Sequence, residues 1–157
     1  MRAYFDSGFL FKLYWPEPNS PAAFALLQKY EPPALLSRLN EIEILHVARR
    51  KTWLRDASGQ PLLALAQYQA GLALFEQHLH SSQLGFLEVD YDEVFDAVAE
   101  LSRKHGLTQQ VRTADLLHVA MMEFGFDHFV TADHQQHQFA PAAGYTSVFL
   151  PPSSEVR

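Results

Sequence analysis

The chain has no cysteine, and that single absence excludes disulfides, thiolate zinc sites and a cysteine nucleophile. Any metal chemistry must then rest on oxygen or imidazole ligands. No window approaches the roughly 20 consecutive apolar residues of a membrane-spanning helix, and "MRAYFDSGFLF" contains no long apolar region ending in a small-residue cleavage site. A soluble, cytoplasmic protein without a membrane partner is the expectation. Positive charge is also scarce: 12 Lys and Arg against 18 Asp and Glu leave a net charge of −6. That balance argues against gripping nucleic acid by bulk electrostatics alone, although it leaves room for a local basic groove. Internal repeats, low-complexity tracts and linkers are missing as well. The 157 residues, 48% of them hydrophobic, therefore suit one domain with a sizeable core, expected over 1–150 with a loose tail at 151–157.

What is present alternates between strand-like and helix-like segments. "RAYF" is a short strand, and "DSGFLFKLYW" after it opens on a good N-cap residue. "AAFALLQKY" follows a proline-bearing turn, with Asn19 or Ser20 as cap and Pro21 at the first helical position. "PALLS" is a second strand, and a helix runs from Arg38 to about Lys51 through Leu39, Ile42, Leu45 and Ala48. Residues 61–80 read as a helix interrupted or bent near Gly71. "LGFLEVD" is a third strand, "YDEVFDAVAELSRKHG" a helix closing on Gly106, and "VRTADLLHVAMMEFG" a helix apolar on nearly every side. "DHFVTAD" makes a fourth strand and "GYTSVFL" a fifth. Strands separated by helices predict an α/β domain whose mainly parallel central sheet of four to five strands carries helices on both faces.

One residue in this pattern is out of place. Asp115 shares a helical stripe with Val111, Val119 and Met122 that should face the core, and an ionised carboxylate there needs a hydrogen-bond partner, a counter-charge or a metal. Other acids recur at segment starts around one sheet edge, where open α/β sheets collect their active sites: Asp6 directly after the first strand, Asp133 after the fourth, and Glu41 and Glu43 on the helix after the second. Taken singly, Asp6 and Asp133 read equally well as helix caps. Converging, such acids would repel one another unless a cation joined them, and hard oxygen ligands point to Mg²⁺ or Mn²⁺. An imidazole-bound transition metal at "DHQQH", with His134 and His137, is a lesser alternative. Basic residues near the proposed edge are Lys12, Arg38 and Arg112; the run Arg49, Arg50, Lys51 and Arg55 reads first as a solvated helix end favoured by the dipole.

Four stretches in this order resemble the PIN-domain family, and most closely its VapC-like ribonuclease toxins: "YFDSGFLFKLYWPEPNS", "LSRLNEIEILHVARR", "RTADLLHVA" and "FVTADHQQHQFAPAAG". The resemblance covers nearly the whole chain. It implies a PIN-like fold, an Mg²⁺-dependent ribonuclease and the toxin of a toxin–antitoxin pair, with an antitoxin as partner, RNA as substrate and a homodimer as assembly. Carried over residue by residue, it assigns metal ligation to Asp6, Asp115 and Asp133 and a place in the catalytic acidic cluster to Glu43, which lies six residues after Ser37 as the family's glutamate does; Glu41 stays the alternative. Ser7 and Thr131 resemble the family's accompanying hydroxyls, which orient a ligand or a water, with capping and strand-end hydrogen bonds as the plainer reading of each. His118, one turn after Asp115, reads as a packing histidine that hydrogen-bonds a neighbour.

Two other function classes bear comparison. A phosphoryl-transfer domain with strand-end aspartates needs a second acid two residues after Asp6, or paired acids with a late lysine, and "DSG" provides neither. A catalytically silent PIN-like binding module needs no acids at all.

Overall fold

The computed structural model describes residues 1–152; of the expected tail, 153–157 lie outside the described residues. The elements run β1 (Ala3–Phe5), α1 (Ser7–Tyr14), α2 (Ser20–Leu27), β2 (Ala34–Leu36), α3 (Arg38–Trp53), α4 (Leu65–His80), β3 (Leu84–Phe86), α5 (Tyr91–His105), α6 (Thr113–Ala120), β4 (His128–Thr131), α7 (His134–Ala142) and β5 (Ser147–Phe149). All strand pairs are parallel and the order across the sheet is β3-β2-β1-β4-β5. Tyr4 sits at the centre, registered against Leu35 on one side and Phe129 on the other. The chain adds strands outward on one side of β1, then returns to add β4 and β5 on the other. Winding thus reverses between β1 and β4, and the loops at their carboxyl ends part there to leave a crevice.

Because side chains alternate along a strand, β1 feeds two cores. Ala3 and Phe5 pack with Phe9, Leu36, Ile44 and Phe75 on the face covered by α1, α3 and α4. Tyr4 packs with Phe129, Val119, Met121 and Phe139 on the face covered by α5, α6 and α7. The expected α/β sandwich of a five-stranded parallel sheet between two helical layers is the observed one. Among the described residues, no helix is long and apolar enough to cross a membrane.

Three local expectations need correction. The helix read over 61–80 begins only at Leu65 and runs through Gly71 without a break; Gly71 answers a packing need, since a Cβ there would lie 2.4 Å from Nε1 of the fully buried Trp15. Gly71→Ala is therefore expected to lower stability by about 1–3 kcal/mol through overpacking, despite the better helix propensity of Ala, as urea denaturation would measure. On α3 the core-facing residues are Asn40, Ile44 and Ala48, whereas Ile42 is 66% exposed; a helix apolar on most sides gave no unique stripe. Finally, α6 starts at Thr113, not Val111, and passes at Met121 into a 3₁₀ turn that ends at Gly125 with φ +83°.

Candidate active site

Asp6 and Asp133 stand where strands hand over to helices. Asp6 caps α1, its Oδ1 accepting the Phe9 N–H at 2.6 Å. Asp133 caps α7 through Oδ1, which accepts the N–H groups of Gln135 (2.7 Å) and Gln136 (3.3 Å). The capping reading therefore holds for both. It consumes only one oxygen of each, and the second oxygen turns toward the crevice between β1 and β4. Thr131, the last residue of β4, donates its hydroxyl to Asp6 Oδ2 at 2.6 Å and accepts the Asp133 N–H at 2.9 Å, so one buried hydroxyl fixes both strand ends.

Asp115 comes from the first turn of α6 and is 1% exposed. Its partner lies three residues upstream: Arg112 reaches Oδ2 through Nε (2.9 Å) and Oδ1 through a terminal nitrogen (3.2 Å), and its backbone N–H adds a third bond to Oδ2 (3.2 Å). The same terminal nitrogen donates to Asp133 Oδ2 at 3.0 Å. Gln136 on α7 completes the shell, donating Nε2–H to Asp115 Oδ1 at 2.9 Å. One guanidinium thus ties two of the acids together.

Glu43 reaches the crevice from α3 and accepts Nε2–H of His118 at 2.7 Å. His118 is buried, with Nδ1 3.0 Å from the Tyr4 hydroxyl, and the Tyr4 hydroxyl also meets Ser37 Oγ at 3.0 Å. Asn40 donates to the Phe5 carbonyl and to Ser7 Oγ, closing a polar network that spans β1, α1, α3 and α6. No buried side-chain nitrogen or oxygen among the described residues lacks a partner. Glu41 points elsewhere and pairs with Arg38.

Asp6, Ser7, Glu43, Asp115, His118 and Asp133 line one cleft of about 540 Å³, together with Lys12, Glu17, Arg50, Lys51, Arg112 and Gln136. Of the expected basic residues, Arg38 is absent from it: its guanidinium lies 3.8 Å over the Phe86 ring and pairs with Glu41. His134 and His137 are also outside, both packed against the Phe149 ring. Asn40, Gln136 and Glu17 were not read from the sequence as site residues. Their only signals are ordinary ones, a helix first turn and a proline-flanked turn, which do not distinguish a ligand-orienting amide or acid from a solvated one.

The carboxylates differ in charge state by environment. Burial pushes the Asp6 carboxyl up, and the Thr131 hydroxyl, His118 and the Phe9 N–H offset only part of this. For Asp115 burial also pushes upward, but the bonds from Arg112 and Gln136 outweigh it and hold the group below the usual carboxylate range. Glu43 behaves like Asp115, with His118 as the outweighing partner. Ionised Asp115 and Glu43 thus face a more reluctant Asp6.

All-oxygen donors fit a hard divalent cation in kind. They do not fit it in present spacing: among the described residues no group of three or more His, Asp or Glu side chains is placed to hold a metal ion. The positive charge between Asp115 and Asp133 is the guanidinium of Arg112.

The PIN domain family model matches residues 3–141. Among solved structures, VapC20 of Mycobacterium tuberculosis, described as a sarcin–ricin loop cleaving toxin, is similar with TM-score 0.63 at 18% identity, over 93% of this chain and 98% of that one. FitAcB of Neisseria gonorrhoeae is similar with TM-score 0.57 at 13% identity, over 92% and 95%. A comparison with curated protein sequences gives no match.

Proposed function

Because the chain belongs to the PIN domain family, we propose that it is an Mg²⁺-dependent ribonuclease, an endonuclease hydrolysing RNA phosphodiester bonds as the toxin of a VapBC-type pair. One observation carries the reading: Asp6, Glu43, Asp115 and Asp133, from four segments far apart in sequence, line a single cleft at the point where the sheet reverses its winding. Each acid has a local partner, a cap N–H, Arg112 or His118, but none of these partners requires that all four acids share one cleft, and like charges brought together cost energy. Similarity to a toxin described as cleaving the sarcin–ricin loop supports RNA as the substrate class.

Once it displaced Arg112 from these carboxylates, Mg²⁺, or Mn²⁺ in its place, would supply Lewis acidity to the site. Asp6, Asp115 and Asp133 offer the oxygens. Thr131 sets the orientation of Asp6, and the cap bonds to Phe9, Gln135 and Gln136 keep Asp6 and Asp133 from turning. Glu43, held ionised by His118, acts through its charge and by accepting a hydrogen bond from water; a carboxylate with lowered proton affinity is a poor proton store. Ser7 lines the cleft at the start of α1, Arg112 is bonded to Asp115 and Asp133, and Lys12 lines the same cleft.

A cognate antitoxin and a homodimer belong to the same proposal. An antitoxin would inhibit by placing its own arginine among the carboxylates, where a guanidinium matches their geometry and would exchange with Arg112. Leu65 and Leu74 stand exposed on α4 as surface a second copy could cover; sedimentation showing only monomer at micromolar concentration would remove the dimer from the proposal.

Incubation of the purified protein with structured and unstructured RNA tests the central claim. Internal cleavage that requires Mg²⁺ and stops with chelator is expected. RNA retained but intact at every Mg²⁺ concentration would identify a binding module instead.

A further inference from the structure

The cleft has a second, oppositely charged end. Lys12 on α1 and Lys51 on α3 both donate to the carboxylate of Glu17, which the turn after α1 brings between them. Two ammonium groups on one carboxylate leave a positive charge in excess. These three side chains are largely withdrawn from solvent, with Lys12 13%, Glu17 21% and Lys51 27% exposed, and the Lys51 ammonium rests 4.6 Å over the Phe11 ring. Lysines so held are not a loosely solvated helix end. Arg50 lines the same cleft and, among the described residues, has no carboxylate partner. Arg49 and Arg55, the other members of the basic run, do not line it.

Spacing along α3 relates the two ends. Glu43, Val47 and Arg50 lie at i, i+4 and i+7 and share one face of the helix, all three lining the cleft. Seven residues at 1.5 Å each place Arg50 about 10 Å along the axis from Glu43, too far for both to attend one phosphate group. The acids are also recessed, with Asp6 and Asp115 each 1% exposed, so a strand must lie along the cleft to reach them.

We propose that the α1–α3 wall of this cleft is a subsite for the RNA phosphodiester backbone: Arg50 contacts a phosphate neighbouring the one cut, Lys12 and Lys51 add to its field, and Glu17 is an internal anion that fixes the two lysines and moderates their charge. This deepens the ribonuclease reading and rests on it. The subsite positions substrate and takes no part in bond cleavage. Free phosphate or a protein acid could satisfy one cation, but a chain of phosphates is what a cleft with the acids at one end and a cluster of cations at the other fits.

The test is binding of a short fluorescein-labelled single-stranded RNA, followed by anisotropy across a salt series, in an Asp6→Asn background so that the RNA stays whole. Adding Arg50→Ala should weaken binding roughly tenfold or more, the value of one charge-assisted contact, and reduce the salt slope by about 0.7. Arg49→Ala, the same charge change one residue away and outside the cleft, should leave both unchanged. Glu17→Gln should act in the opposite direction, tightening binding and steepening the slope, because it releases one positive charge into the groove. A thermal melt of each variant confirms folding. Arg50→Ala indistinguishable from Arg49→Ala, or Glu17→Gln weakening binding in a folded protein, overturns the subsite. If the Asp6→Asn parent binds no RNA at any salt concentration, it is the ribonuclease reading that fails, and the subsite with it.

Discussion

Asp6→Asn and Asp115→Asn, made separately, are each expected to lower ribonuclease activity roughly a hundredfold or more, since several kcal/mol of charge stabilisation at the phosphoryl group depends on these oxygens. Their effects on stability should be opposite in sign. Asp6 is buried with its pKa raised above the unfolded value, so its ionisation opposes folding as pH climbs from the unfolded to the folded value, and the full cost persists above that. Asn removes the cost. Its carbonyl can keep the Phe9 N–H, and its amide can donate to Thr131 Oγ, which is free to turn its own hydrogen toward Gln136 Oε1 at 3.2 Å. Asp6→Asn should therefore be as stable as the wild type or more so at neutral pH.

Asp115 has the contrary sign. Its pKa is held below the unfolded value, so it contributes stability above the unfolded value that is lost as pH falls through the folded one. Asp115→Asn deletes that contribution and sets an amide against the donors of Arg112 and Gln136. A cost of about 1–3 kcal/mol is expected at neutral pH, toward the low end because Arg112 is open to solvent. Denaturation at pH 7 and at pH 4 reads the Asp6 sign, and the gap between Asp115→Asn and wild type should narrow only in stronger acid, at about pH 2.5, below the unfolded carboxylate value. Two folded variants cleaving RNA at the wild-type rate would dismiss the acidic site as the seat of activity.

Arg112→Gln is expected to raise the affinity for divalent cations roughly tenfold. The guanidinium occupies Asp115 and Asp133 through three side-chain bonds, and a cation competing for those oxygens must first displace it. Net bonds to charged groups are worth about 1.5–3 kcal/mol, and 1.4 kcal/mol is a factor of ten in a dissociation constant. With 66% of the Arg112 side chain exposed, its departure meets no packing barrier, so the competition should be rapid and reversible. Calorimetric titration with Mn²⁺ measures the affinity without reference to turnover. The metal-free variant should also melt at lower temperature, because Asp115 and Asp133 lose their shared counter-charge. An affinity unchanged or reduced would show that Arg112 belongs to the ion-binding arrangement instead of competing with it.

These expectations separate what short-range chemistry encodes from what folding assembles. The order of strands and helices, the parallel sheet and the positions of Asp6 and Asp133 at the carboxyl ends of β1 and β4 follow from hydrophobic periodicity and cap chemistry, which act within a few residues and can be read directly from the chain. The burial of Asp115 was legible for the same reason: Val119 and Met122 share its stripe and are buried with it. Its partner was not, because a buried acid demands some positive charge but not a particular one. Arg112 has the reach for several directions, and only the approach of α7 to α6, which brings Asp133 and Gln136 beside Asp115, decides that it closes on the acids. The choice of Glu43 over Glu41 inside the cleft is settled by the rotation of α3, which the buried Asn40, Ile44 and Ala48 fix against β1 and α1. The same rotation turns Arg50 and Lys51 into the groove and sends Arg38 onto Phe86. A helix such as α3, whose apolar residues fall on several faces among charged ones, carries no intrinsic sense of inside; the packing partners supply it, and they are far away in sequence.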